Sequence, residues 1–211
     1  MNMGNTVGSR ETRIAFTARK KQTLWVYPRQ MEILIGSILG DAYVSPQGRI
    51  QIEHSVHQHA YLQWKYQELA SISYSGPPTL VSHRASNGSK VYRSQRFWTR
   101  QFFRPLRSRF YSGKTKIFPH DLTLTALLLA VWYMDDGHYE VVKGRCILAT
   151  DQFNADSIAR IQHAFHLKWS LESIVRKSGK LVFNNNNCTQ FLKIVEPYII
   201  PAMRYKVSLT P

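Results

Sequence analysis

Two apolar runs, each ending in an acid, are the segments of this 211-residue chain best suited to chemistry. One reads Met31-Glu32-Ile33-Leu34-Ile35-Gly36-Ser37-Ile38-Leu39-Gly40-Asp41, and the other runs from Thr123 to Asp136 and stops at Gly137. Both read as helices, and a helix that is apolar almost all round must be buried. An aspartate at the helix C-terminus sits where the dipole disfavours negative charge, so something else should hold that charge. Gly36 and Gly40 share one helix face and let a second backbone come close. If the two helices pack there, Asp41 and Asp136 finish side by side, as hard oxygen ligands suited to Mg²⁺. Beside DNA, such a site suits phosphodiester hydrolysis, with metals activating water and stabilising the leaving oxygen.

The elements that position these acids repeat. Pro28 opens the first helix, where its missing N–H is harmless. A period-two strand follows at Arg49–Glu53, then a helix at His59–Ile72 that breaks at Gly76-Pro77-Pro78. Strand patterns at Thr79–His83 and Lys90–Trp98 flank Ser86-Asn87-Gly88, and a helix covers Thr99–Phe110. After Pro119 the order returns: helix Thr123–Asp136, strand Arg145–Asp151, helix Asn154–Lys168, strands Leu171–Arg176 and Lys180–Phe183, helix Cys188–Val195. This predicts an α+β pseudo-dimer whose two units meet at their opening helices. The division is a basic, extended arm over 1–27, a first half over 28–118 and a second over 119–211.

Charge points to the partner. Against 28 Lys+Arg stand 13 Asp+Glu, a formal +15, and that excess calls for a polyanion. Between Glu68 and Asp121 there is no acid but ten basic residues: Arg84, Lys90, Arg93, Arg96, Arg100, Arg104, Arg107, Arg109, Lys114 and Lys116. Aromatic residues such as Tyr92, Phe97 and Trp98 interleave with them, as on a folded surface facing phosphates.

Leu34-Ile35-Gly36-Ser37-Ile38-Leu39-Gly40-Asp41-Ala42 and Leu129-Ala130-Val131-Trp132-Tyr133-Met134-Asp135-Asp136-Gly137 resemble the paired motifs of LAGLIDADG homing endonucleases, in the monomeric two-motif branch encoded by mobile introns. The resemblance implies two αββαββα halves with saddle-shaped antiparallel sheets along the major groove. It implies site-specific, double-strand cleavage at a long, non-palindromic target. The penultimate position of each motif supplies the metal-binding aspartate in this family, which selects Asp41 and Asp136 and leaves Asp135 a capping or supporting role. Gly40 and Asp135 precede those aspartates and count with them among the metal-site residues. Lys116 and Lys206 correspond to the basic residues flanking each catalytic centre, and Glu53 resembles the polar residue near the metals, with Asp151 as its partner. Val131 departs from the family's small interface residue and is expected to widen the local helix packing.

On the saddle, Lys90, Tyr92, Ser94 and Arg96 share one strand face, opposite Val91 and Phe97. The DNA-binding set is Arg49, Gln51, Lys90, Tyr92, Arg93, Arg96, Lys114, Arg145, Arg176 and Lys180. Mg²⁺ is the implied cofactor, in sites that also accommodate Mn²⁺ or Ca²⁺. The partner is double-stranded DNA, with intron RNA for the rival maturase reading. A DNA-binding relative without catalysis is a third reading, which the retained acids oppose.

Cys146 and Cys188 lie far apart and form no ligand pattern, so neither a disulfide framework nor a zinc site is expected. His54, His57 and His59 read as satisfied or solvent-facing histidines. No run reaches the length of about 20 residues needed to cross a bilayer. The expected location is the compartment of the host intron, a mitochondrion, chloroplast or bacterial cytoplasm, without secretion. A weak transit-peptide pattern lies in Arg10, Arg13, Arg19 and Lys20.

Overall fold

Pro28 is the first residue of the opening helix in the computed structural model, which describes residues 13–18, 21–74, 76–84, 88 and 90–207. In chain order the first half contains β1 (Ile14–Thr17), β2 (Thr23–Val26), α1 (Pro28–Leu39), β3 (Tyr43–Val44), β4 (Ile50–Ser55) and α2 (His59–Leu69). It continues with β5 (Thr79–Arg84), β6 (Val91–Trp98), α3 (Arg104–Phe110), β7 (Tyr111–Ser112) and β8 (Thr115–Lys116). The second half contains α4 (Ala126–Asp136), β9 (Gly137–Glu140), β10 (Arg145–Leu148), α5 (Ala155–Trp169), β11 (Ile174–Val175), β12 (Leu181–Asn184) and α6 (Asn185–Val195).

Each half builds one antiparallel four-stranded sheet, ordered β3-β4-β6-β5 in the first and β9-β10-β12-β11 in the second. The orders match position for position, and α1, α2 and α3 recur as α4, α5 and α6. The architecture is therefore α+β with two similar halves.

Helices α1 and α4 pack against each other at the centre. Residues Leu127 to Met134 of α4 are buried without interruption, as a helix apolar on every side requires. A Cβ added to Gly36 would lie 2.6 Å from the Leu128 carbonyl oxygen and 2.8 Å from the Val131 Cβ. Val131 thus occupies the room that glycine leaves, and the wider packing expected of it does not occur.

Several elements differ from the sequence expectation. Where an extended arm is expected, β1 and β2 form a hairpin whose Phe16, Leu24 and Val26 join the core, Phe16 packing on Phe103. Arg10, Arg19 and Lys20 lie outside the described residues. Helix α3 starts at Arg104 and not at Thr99, because Thr99 stays with the sheet: its backbone and Oγ1 bond Ile50 at 3.0 and 2.9 Å. Strand β10 stops at Leu148, and the Ala149 N–H instead donates to the Asp136 carbonyl at 3.0 Å, turning 149–152 toward that acid. Strand β9 has no counterpart in the sequence expectation, which passes from the α4 acid directly to the strand at Arg145. Cys146 and Cys188, remote in sequence, meet in the core where β10 packs under α6. No helix among the described residues is long and apolar enough to cross a membrane.

Candidate active site

Helix α1 ends at Leu39, so Asp41 sits two residues past it, whereas Asp136 is the last residue of α4. Both carboxylates line one cleft at the end of the helix pair, with Gly40, Lys116, Ala149, Asp151 and Gln152. Burial, then the neighbouring charges of Asp41 and Asp135, push the Asp136 carboxyl up to about 7. Burial and the Asp135 charge also raise Asp41. Lys116 and Lys206, close to both acids, oppose that rise.

Those lysines repeat across the two halves. Lys116 Nζ donates to the Gly40 carbonyl at 2.5 Å, and Lys206 Nζ donates to the Asp135 carbonyl at 2.9 Å. Each thus takes the carbonyl just before the last acid of one motif. Burial lowers both ammonium groups from their ordinary value. Gln152 Nε2 donates to the Leu39 carbonyl at 3.0 Å and to Asp136 Oδ2 at 3.4 Å, tying the second half's acid to the first half's helix end.

Asp135 and Asp136 face different ways, as consecutive helical residues separated by about 100° must. The Asp135 side chain has 0% exposure and is bonded by Lys65 Nζ at 2.7 and 3.0 Å and by the Tyr61 hydroxyl at 2.8 Å. Its Oδ2 also accepts the Asp41 N–H at 3.3 Å. Burial alone would raise Asp135, but the Lys65 ammonium, together with His54 and the Tyr61 hydroxyl, outweighs it and holds the carboxyl below its ordinary value. His54 Nε2 lies 3.1 Å from Lys65 Nζ, and its Nδ1 lies 3.7 Å from Asp41 Oδ2. Burial first, then the Lys65 charge, lowers His54 to about 4, so this ring is neutral at pH 7.

Asp41, His54 and Asp135 bring ligand atoms within 4.8 Å of one another. Lys65 already supplies the cation on the Asp135 side of that group. On the cleft side, the two raised carboxylates, the Gln152 amide and the Gly40 carbonyl form an oxygen-rich donor set, which fits a hard divalent cation.

Lys65, Tyr61 and His54 escaped the functional reading of the sequence. Their signal was present: Lys65 stands four residues from both Tyr61 and Leu69, on the buried stripe of α2, and His54 shares the buried face of β4 with Ile50 and Ile52. His57 and His59 do not join His54, and His59 pairs instead with Gln95.

Glu53 does not line the cleft. The alternation of β4 turns it to the opposite sheet face, where it meets Gln51 (2.7 Å), His83 (2.5 Å), Ser94 and Arg96. Asp151, named as its partner, does line the cleft. The β4–β6 register puts Gln51, Glu53, Ser94, Arg96 and Trp98 on that one face, with Tyr92 further along β6. Arg93 falls on the other face and is exposed. Lys90 and Lys114 are exposed, and so is Arg49, whose guanidinium covers the Tyr74 ring. In the second half, Arg145 and Arg176 both bond Glu140, at 2.6 and 3.4 Å, and Lys180 is half-buried beside Arg176. Part of the acid-free stretch is structural: Arg107 stacks on Tyr111 and donates to the Val44 carbonyl, and Arg109 pairs with Asp121.

Two similar halves, joined at paired helices that bring two carboxylates to one cleft, define a LAGLIDADG-type α+β protein. The sequence model of the LAGLIDADG DNA endonuclease family matches residues 31–191, and the chain belongs to that family. It is similar in structure to the homing endonuclease I-WcaI bound to its DNA recognition sequence, with a TM-score of 0.76, 27% identity and 85% and 86% of the two chains covered. It is 30% identical to a probable intron-encoded endonuclease 1 of Wickerhamomyces canadensis, over 89% of this chain and 87% of that protein. It is 28% identical to a cytochrome b mRNA maturase bI2 of Debaryomyces hansenii, over 84% and 73%. A protein named RecA from Mycobacterium gastri is 31% identical over 85% of this chain, which spans 47% of that relative's length.

Proposed function

We propose that the protein is a site-specific endonuclease that hydrolyses both strands of a DNA duplex with Mg²⁺. The observation that carries this reading is the meeting of Asp41 and Asp136 in one cleft, each with a lysine beside it. Asp41 and Asp136 are the residues that would hold the metal, with Gln152 and the Gly40 carbonyl at hand. Bound there, Mg²⁺ supplies Lewis acidity, which favours hydroxide over water and stabilises the leaving oxygen. Lys116 and Lys206 orient water or offset charge building on the phosphate, in a site where such donors are already in place. Gln51, Tyr92 and Arg96 of the first sheet and Arg145 and Arg176 of the second face base edges, and Lys90, Lys114, Lys180 and Arg49 hold phosphates.

The halves 28–118 and 119–211 each read one half-site, and because both motifs lie in one chain the active form is a monomer. Their reading faces carry different side chains, so the target is non-palindromic. The relatives named as an intron-encoded endonuclease and a maturase support an organellar, intron-associated origin. The maturase relative also supports intron RNA as a second partner.

Incubation with the intronless form of the host gene and Mg²⁺ tests the reading. A double-strand cut that EDTA abolishes is expected, and cutting retained in excess EDTA would overturn it. Asp41→Asn and Asp136→Asn should each abolish cutting and leave binding equal or tighter, since each removes a negative charge near phosphates. Parallel loss of binding and cutting would make both residues structural.

A further inference from the structure

We propose that Lys65 is a positioning residue for the two-carboxylate cleft. By pairing with the buried Asp135 it locks the last turn of α4 onto the Gly40–Asp41 peptide, and so sets how Asp41 and Asp136 face each other. The inference rests on the nuclease reading for its consequence in cleavage, but not for its geometry.

Lys65 lies on α2, outside both motifs, and its side chain has 0% exposure. Its ammonium group has an acceptor for every N–H: Asp135 Oδ1 at 2.7 Å, Asp135 Oδ2 at 3.0 Å and His54 Nε2 at 3.1 Å. Charged lysine is almost never fully buried unless paired, and a buried ion pair is weak evidence for stability, because desolvation cancels much of its attraction. Its presence here calls for another reason.

The reason is in what Asp135 holds. Its Oδ2 accepts the Asp41 N–H at 3.3 Å, its carbonyl accepts Lys206 Nζ at 2.9 Å, and its own peptide continues into Asp136. One residue therefore touches the backbone of one proposed metal ligand, precedes the other and anchors one flanking lysine. Gly40 is shaped to admit it, since a Cβ there would lie 2.6 Å from both the Asp135 Cβ and Oδ2. The device is one-sided. The matching position of the first motif is Gly40 itself, and the Asp136 side is tied by Gln152 instead. Removing Lys65 alone would leave the Asp135 charge buried without a counter-charge, so its contact with Asp41 depends on the lysine.

The test uses Lys65→Met/Asp135→Leu, which removes one charge of each sign and leaves the net charge unchanged. Replacing a buried ion pair with apolar residues of similar volume is often neutral or stabilising, so the fold should survive. Removing partners that orient metal ligands typically lowers metal affinity or activity by about 10–100-fold. Mn²⁺ binding to the free protein, read by electron paramagnetic resonance, should weaken about 10-fold or more. The cleavage kcat should fall to a similar extent while the DNA Kd holds. Wild-type Mn²⁺ affinity and kcat in a well-folded double variant would make Lys65 purely structural and overturn the proposal. If the double variant melts well below the wild type, Lys65→Gln replaces it. That change removes the charge from Lys65 while leaving an N–H donor at the position and should still weaken Mn²⁺ binding measurably, and no change would overturn the proposal. The Mn²⁺ arm decides positioning even if the wild type cuts no DNA, an outcome that would sink only the nuclease reading.

Discussion

Gly36→Ala adds one methyl group at the crossing of α1 and α4. Its carbon would lie 2.6 Å from the Leu128 carbonyl oxygen and 2.8 Å from the Val131 Cβ. Carbon contacts are comfortable at about 3.5–4.0 Å, so the helices would have to separate by a sizeable part of an ångström. Neither neighbour can turn aside, since one is main chain and the other is fixed directly to it. Overpacking of this kind costs about 1–3 kcal/mol, and fixed neighbours place this site at the upper end. Alanine returns about 1 kcal/mol as the better helix former, leaving a net loss of about 2 kcal/mol. For a chain of this size each kcal/mol lowers Tm by roughly 2–4 °C, so a drop of about 4–8 °C is expected. Separating the helices also moves Asp41 from Asp136, so Mg²⁺ should stabilise the variant less than the wild type. Thermal melting with and without Mg²⁺ measures both effects. A Tm at or above the wild-type value would refute the close crossing and the reasoning built on it.

The Asp136 carboxyl, raised from 3.8 to about 7, favours the protonated form in the folded, metal-free protein. That contribution to stability is full below the ordinary carboxylate pKa and is lost as pH rises through about 7. Metal-free wild type should therefore lose Tm relative to Asp136→Asn as pH climbs from 4 to 7, whereas stabilisation by Mg²⁺ should grow, because binding needs the deprotonated acid. A pH-independent difference between the two proteins would contradict the assignment. DNA binding should weaken steeply with salt: a protein neutralising 6–10 phosphates loses roughly 10³–10⁵ in affinity between 50 and 200 mM. A flat anisotropy titration would contradict the basic saddle.

Much of this molecule is legible in its sequence because the signals are local. An apolar run ending in Gly-Asp or Asp-Asp specifies a buried helix with an acid at its end, and the recurrence of that run with the same order of elements specifies two like halves. The closeness of the helices was likewise readable from Gly36, since a missing side chain is a local property that any partner can use. Choosing Asp136 over Asp135 needed the motif's alignment as well, because both are acids and helix geometry says only that they diverge. What Asp135 does instead was decided by α2, which brings Lys65 and Tyr61 to it across some 70 residues of sequence. The same holds for Glu53 and His54. A strand alternates its side chains, but only the packing of α2 on one sheet face determined that His54 comes up to Asp41 and Asp135 and Glu53 does not. Arg107 and Arg109 counted as surface charge until α3 placed them against Tyr111 and Asp121, and the two cysteines looked remote until β10 met α6. Periodicity and motif spacing record how a residue sits on its own element. Which element lies opposite, and so which charge is matched and which is left for a ligand, exists only once the chain has folded.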